Sequence, residues 1–337
     1  MPKTIPLNGK TSCAMPRPEK RDGALLISNF CVLNFELYIL GCGSAKPTRH
    51  HQPSSQILAI HGKHYMIDCG EGAQTQMQFL GLSTAGIGHI FISHNHGDHV
   101  FGLPGLIGTM DLLGRTAELH VHGPQQVGEL IDFLLHTYYA DINYEVIFHP
   151  VDTRRHALVY EDRSITVHSI PLEHRIPSVG YLFREKPRLP HIRREMIDAF
   201  GIPVSQINNI KAGASWTLED GTVIPHEQLT TPAAPPCSYA YCSDTVYLPR
   251  LAEILRGVTL LYHEATYLHE RVLRAEQTRH TTALQAATLA RDAGVGRLCI
   301  GHFSATVKDE GLLLREAQSV FPNTVLACEG LVIDVRK

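Results

Sequence analysis

The segment Ile90-Phe91-Ile92-Ser93-His94-Asn95-His96-Gly97-Asp98-His99 restricts this chain more than any other. An apolar run of strand length passes directly into a dense set of metal-ligand side chains. A strand end followed by a loop projects His94 and His96 the same way, while Asp98 and His99 turn toward a second point, so one segment can serve two metal positions. Imidazole and carboxylate without thiolate suit zinc, with Mn2+ or Fe2+ also compatible, and a hydrolytic site keeps a position open for water. One segment cannot complete two sites, so further ligands must end other apolar stretches. His174 follows Ile170-Pro171-Leu172-Glu173, Asp244 follows Tyr239-Ala240-Tyr241-Cys242-Ser243, and His302 follows Leu298-Cys299-Ile300-Gly301. The 21 histidines of the 337-residue chain make such a cluster affordable without exhausting the supply.

Around this segment the chain alternates short strands and helices. Strand patterns run over Phe35 to Leu40, Gln56 to Ile60, Tyr65 to Asp68, Leu119 to His122, Ile165 to Ile170, Thr259 to Tyr262 and Arg297 to Ile300. Helical spacing occurs at Gly72 to Leu80, Leu103 to Leu113, Gln125 to His136, Leu248 to Leu255, Thr281 to Ala293 and Leu312 to Val320. Two strand-rich stretches, each followed by helices, predict an α+β chain with a sheet-on-sheet core and helices outside. Gly41-Cys42-Gly43 is read as a tight turn: Lys46 stands where a dinucleotide loop needs its third glycine, and no helix pattern follows.

With 30 basic and 33 acidic residues the chain cannot bind nucleic acid through bulk charge, so RNA binding requires a local basic patch. Eight cysteines with no CxxC pair read as reduced packing residues, which fits a cytoplasmic location. No stretch is apolar enough for a membrane span. Residues 1–33 lack sustained periodicity and are expected to be a disordered N-terminal extension, with the domain running over 34–337.

On Asp68-Cys69-Gly70-Glu71-Gly72, His94 to His99, Pro171-Leu172-Glu173-His174, Ser243-Asp244-Thr245, His263-Glu264-Ala265-Thr266, His280-Thr281-Thr282 and Gly301-His302-Phe303-Ser304, the chain resembles the ribonuclease Z family of the metallo-β-lactamase superfamily. The histidine-rich run alone would indicate only the superfamily. The pair His263-Glu264-Ala265-Thr266 and His280-Thr281-Thr282 narrows it to ribonuclease Z. The resemblance implies a four-layer αββα sandwich with a protruding basic arm and two Zn2+ per subunit. His94, His96 and His174 would hold one ion, Asp98, His99 and His302 the other, with Asp244 bridging. Asp68 would orient a ligand through a hydrogen bond.

The implied reaction is endonucleolytic removal of the 3′ trailer from precursor tRNA, leaving a tRNA 3′-hydroxyl and a trailer 5′-phosphate. A bridging hydroxide would be the nucleophile, aimed by Asp98. His280, polarised by Glu264, would protonate the leaving ribose oxygen. The stretch 184–213, opening with Lys186, Arg188, Arg193 and Arg194 and ending near Lys211, is read as an inserted arm that grips RNA phosphates. In the family such an arm serves the partner subunit's active site, which implies a homodimer. Val204-Ser205-Gln206 replaces the family's usual Pro-Gly-Pro, placing the arm's rigid turn in doubt. Thr306-Val307 replaces its usual Arg-Tyr, removing a phosphate contact that only Lys308 or another arginine could restore. A small-molecule phosphodiesterase on the same scaffold and a hydrolytically decayed RNA-binding protein are the alternative readings.

Overall fold

The computed structural model describes residues 34–337; the expected N-terminal extension, residues 1–33, lies outside them. One seven-stranded sheet has the order Val332–Asp334, Phe35–Gly41, Ser55–Ile60, Lys63–Cys69, Ile87–Phe91, Leu119–Gly123 and Val146–Pro150. The other has the order Thr324–Leu326, Arg297–Gly301, Leu260–Glu264, Ser238–Cys242, Val179–Glu185, Ile165–Pro171 and Leu158–Glu161. Each sheet joins antiparallel strands on one side to parallel strands on the other.

Alternation along the strands builds the layers. Phe35, Leu37, Ile39, Tyr65, Ile67 and Phe91 pack with Val167, Tyr181, Phe183, Tyr239 and Tyr241 in the core between the sheets. Their sequence neighbours Leu40, Met66, Ile90 and Ile92 face outward onto Leu103, Leu106, Ile107, Val127 and Ile131 of the helices Leu103–Leu112 and Gln125–Tyr138. A strand whose successive residues point to opposite faces and are both apolar must be covered on both sides. On the second sheet the cover is Leu251–Ile254, Ala283–Ala293 and Glu310–Gln318. The product is the expected αββα sandwich.

Between the neighbouring antiparallel strands Val179–Glu185 and Ser238–Cys242 lies an insertion. It is longer than the expected 184–213 and occupies residues 186–237. It folds as helices Arg194–Phe200, Val204–Lys211 and His226–Leu229 with two short strand pairs around a core of Ile202, Ile210, Ile224 and Leu229. The second half escapes sequence inspection because its strands are two residues long and separated by Pro, Gly and Thr. Val204-Ser205-Gln206 forms not a turn but the first turn of a helix, whose fixed entry is supplied by Pro203.

Candidate metal centre

The carboxyl ends of strands from both sheets converge at one edge of the sandwich, and the polar residues that follow them meet there. His94 Nε2 lies 3.0 Å from His96 Nδ1, and both rings pack against His174. Nε2 of His99 and Nε2 of His302 approach Asp98 Oδ2 at 3.5 and 3.6 Å. Asp244 stands between the two groups. Its Oδ2 is 3.7 Å from His94 and 3.6 Å from His174, while its Oδ1 is 3.5 Å from His99 and 3.1 Å from His302.

The other face of most of these imidazoles is fixed. His94 Nδ1 meets Ser93 Oγ at 3.0 Å, His99 Nδ1 donates to Asp68 at 2.7 Å, His174 Nδ1 donates to the Arg279 carbonyl at 2.9 Å, and His302 Nδ1 meets Thr266 Oγ1 at 3.1 Å. Holding one ring nitrogen sets the tautomer and aims the other. Asp68 is fully buried and also accepts from the Ser93 amide, the Ser93 hydroxyl and the Tyr241 hydroxyl at 2.7, 2.8 and 2.6 Å. It sits at φ 52°, and His302 at φ 61°, backbone that a non-glycine residue adopts only where its surroundings compel it. The segment 69–72 is pressed onto the histidine-rich loop: a Cβ on Gly102 would lie 2.2 Å from the Gly70 carbonyl, so glycine is required there.

Among the described residues, buried Nε2 atoms of His99 and His302 have no hydrogen-bond partner. Buried ring nitrogens without partners, converging on two carboxylates, are costly unless a cation fills the gap. Burial opposes ionisation of Asp98 and Asp244, yet the facing histidines hold both carboxyls well below the ordinary carboxylate range. The donor set, imidazole and carboxylate without thiolate, fits two divalent cations.

His280 and Glu264 flank this group. His280 Nδ1 donates to Glu264 Oε1 at 2.9 Å, and Glu264, fully buried, also accepts from the Thr245 amide and the Thr266 hydroxyl at 2.9 and 2.6 Å. Burial alone would lower the His280 pKa, but Glu264 overrides it and pushes it up to about 9. His280, His174, His96, Asp98 and Asp244 line a cavity of about 640 Å³ that also receives Lys46, Arg175 and Tyr267.

The predicted RNA-binding cations fall into two sets. Lys186 pairs with Glu161 at 2.8 Å, Arg188 contacts His61, and Arg193 pairs with Glu195 at 2.9 Å, so these are tied to partners within the chain. Arg194 and Lys211 have no ion-pair partner among the described residues. Over 186–236, Lys186, Arg188, Arg193, Arg194 and Lys211 are matched by Glu195, Asp198, Glu219, Asp220 and Glu227, so the basic character belongs to the first limb only.

Sequence reasoning missed several supports. Ser93 and Tyr241 were legible only as neighbours of His94 and Asp244, and the Ala45 amide, which donates to Asp98 Oδ2 at 2.7 Å, leaves no side-chain signature. Arg271 is the more consequential omission. Its guanidinium covers the Tyr267 ring at 5.5 Å and donates to Thr306 Oγ1 at 3.0 Å, so an arginine does occupy the neighbourhood where Thr306 leaves a charge missing.

A family model for the anti-Pycsar protein Apyc1 matches residues 35–129, the first strands through the histidine-rich loop and beyond. Ribonuclease Z of Bacteroides fragilis (strain YCH46) is 54% identical over 301 residues, 89% of this chain and 99% of that protein. Ribonuclease Z of Porphyromonas gingivalis (strain ATCC BAA-308 / W83) is 51% identical over the same shares. Among solved structures, the short form of human tRNase Z matches with a TM-score of 0.64 at 23% identity over 89% of this chain and 99% of that one. The metallo-β-lactamase fold protein YhfI from Bacillus subtilis matches with a TM-score of 0.63 at 17% identity over the same shares. The structural likenesses fix the fold as that of the metallo-β-lactamases, and on identity above one half along nearly the full length of its relatives, the chain belongs to the ribonuclease Z family.

Proposed function

We propose that the chain is a zinc-dependent endoribonuclease that removes the 3′ trailer from precursor tRNA, leaving a tRNA 3′-hydroxyl and a trailer 5′-phosphate. The observation that carries this reading is Asp244 straddling two imidazole groups, with the His280–Glu264 pair on the same cavity. His94, His96 and His174 would hold one Zn2+ and Asp98, His99 and His302 the other, with Asp244, which faces both groups, available to each. When bound, such a pair would supply an activated water and screen charge on the phosphoryl oxygens. Asp98, fixed by the Ala45 amide, orients the attacking water, and Asp68 holds the His99 ring in register. Hydrolysis leaves an alkoxide on the tRNA ribose unless it is protonated. His280, kept protonated through neutral pH by Glu264, donates that proton from Nε2.

The insertion suits a folded RNA and has no use for a small diester. Deleting residues 188–235 and closing the two antiparallel strands with a short glycine-serine turn is expected to lower precursor tRNA cleavage by about 100-fold or more, through lost phosphate and shape contacts. Hydrolysis of bis(p-nitrophenyl) phosphate should persist. Undiminished tRNA cleavage by the deletion variant would sink the assignment of the insertion to RNA binding, whereas a parent that hydrolyses the small diester but leaves precursor tRNA intact would favour a small-molecule phosphodiesterase. Arg194 and Lys211, without an ion-pair partner among the described residues, are the first candidates for RNA contacts, and Lys186, Arg188 and Arg193 would exchange their intramolecular partners for phosphate. The chain acts as a homodimer in which each insertion serves the partner's centre. Cys42, Cys69, Cys237, Cys242 and Cys299 are free thiols, in keeping with a reducing cytoplasm, and no described helix is long and apolar enough to cross a membrane.

Arg271 takes over the phosphate contact that Thr306 cannot make. Arg271→Ala is expected to raise KM for precursor tRNA about tenfold with kcat little changed, the effect of one charge-assisted hydrogen bond. The salt dependence of binding should become shallower by about one phosphate contact. An unchanged salt slope would assign Arg271 to packing on Tyr267 alone.

A further inference from the structure

A second ligand cluster lies away from the centre described above. Cys42, just past the strand Phe35–Gly41, is completely buried. Its Sγ is 3.3 Å from His51 Nδ1 and 3.7 Å from Glu329 Oε1, and His51 Nδ1 is 3.0 Å from Glu329 Oε2. Tetrahedral zinc with one sulfur and lighter donors separates its ligand atoms by about 3.3–3.6 Å, from bonds of about 2.3 Å to sulfur and 2.0–2.2 Å to nitrogen or oxygen. The three contacts in the cluster fall within a few tenths of an ångström of that range. His51 Nε2 meets Glu310 Oε1 at 2.8 Å. A carboxylate on the far nitrogen fixes the tautomer that turns a lone pair toward a metal.

We propose that Cys42, His51 and Glu329 form a third metal-ion site, suited to zinc, with Glu310 orienting His51. Cysteine, histidine and glutamate together favour zinc over magnesium or calcium, which take oxygen ligands. Without a cation the same three atoms must share protons. Burial raises the Cys42 pKa well above that of a free thiol and Glu329 raises it further, while His51 is pushed up to about 10 by Glu310 and Glu329 against the opposing effect of burial. A cation replaces the thiol and imidazolium protons and releases them to solvent.

The site has a purpose within the fold. Glu329 Oε1 accepts from the Gln52 amide at 2.8 Å, and Gly43 bridges to Phe303, the neighbour of His302. The loop so anchored carries Ala45, whose amide holds Asp98. A cation at Cys42, His51 and Glu329 pins this loop to the C-terminal segment and steadies one wall of the catalytic cavity without touching substrate.

Cobalt(II) distinguishes this site from the dinuclear centre, which contains no thiolate. The full chain, freed of metal and refilled with cobalt(II), should show a near-ultraviolet thiolate-to-cobalt charge-transfer band. The band should vanish in Cys42→Ser and persist in Asp244→Ala, and zinc-loaded Cys42→Ser should hold one equivalent less zinc than the parent. Either a cobalt-saturated parent without the band, or a band that survives in Cys42→Ser, overturns the proposal. The first of these outcomes needs no variant, so a folding defect in Cys42→Ser cannot shield the proposal.

Discussion

His280→Ala lowers kcat for precursor tRNA by about 10²–10⁴-fold, the span that a positioned general acid contributes, and leaves bis(p-nitrophenyl) phosphate hydrolysis within about threefold. The difference lies in the leaving group. A ribose 3′-oxygen is a strong base and must be protonated as it departs, whereas p-nitrophenolate leaves unassisted. A purely structural role for His280 would depress both substrates alike, and equal losses would remove it from the mechanism. The pH dependence has a definite sign. With its pKa pushed up to about 9, His280 carries its proton at neutral pH and loses it as pH rises through that value. Glu264→Gln removes the principal charge holding the pKa up, so the alkaline limb of kcat moves to lower pH.

Asp244→Ala abolishes activity on both substrates, with an expected loss of about 1000-fold or more, because the Asp244 carboxylate faces both imidazole groups and preorganised charge stabilisation is usually the largest catalytic term. Its metal content falls as well. Asp68→Asn provides the graded comparison: it leaves every proposed ligand in place but weakens the hydrogen bond that aims His99, with an expected cost of about 10–100-fold in metal affinity. Metal content measured by elemental analysis beside kcat separates the two. If Asp68→Asn lost as much metal and activity as Asp244→Ala, Asp68 would be acting on the fold rather than on one ligand.

The proposed ligands were legible in the sequence because they follow apolar strands, whose ends lie together at one edge of the sheet pair. His94, His96, Asp98, His99, His174, Asp244 and His302 all follow such strands, and the structure gathers them into overlapping groups linked through Asp244 and His302. The helices Ala73–Phe79, Leu103–Leu112 and Ala283–Ala293 were legible for the same kind of reason, since each lays an apolar stripe on a sheet. What remained hidden depends on contacts distant in sequence or on the backbone. Tyr241 looks like one more alternating strand residue until its hydroxyl is found on Asp68. Asp and His enter the left-handed region more readily than most residues, but residue type alone does not single out Asp68 and His302 among the chain's many Asp and His. Arg271 lies on an exposed turn thirty-five positions before Thr306, and only the folded chain puts the two side chains in contact. The insertion was half visible because its first limb carries charge and a helical pattern, whereas its second limb holds its small core through single residues such as Ile224 and Leu229.

The most direct measurement incubates the purified full chain with a 3′-extended precursor tRNA and maps both new ends, before and after metal removal and again after zinc is restored. The account predicts one cut at the acceptor end with a tRNA 3′-hydroxyl and a trailer 5′-phosphate, abolished by chelation and recovered with zinc. Intact RNA in the presence of zinc, or a cut that leaves a 3′-phosphate or cyclic phosphate on the tRNA, would contradict it.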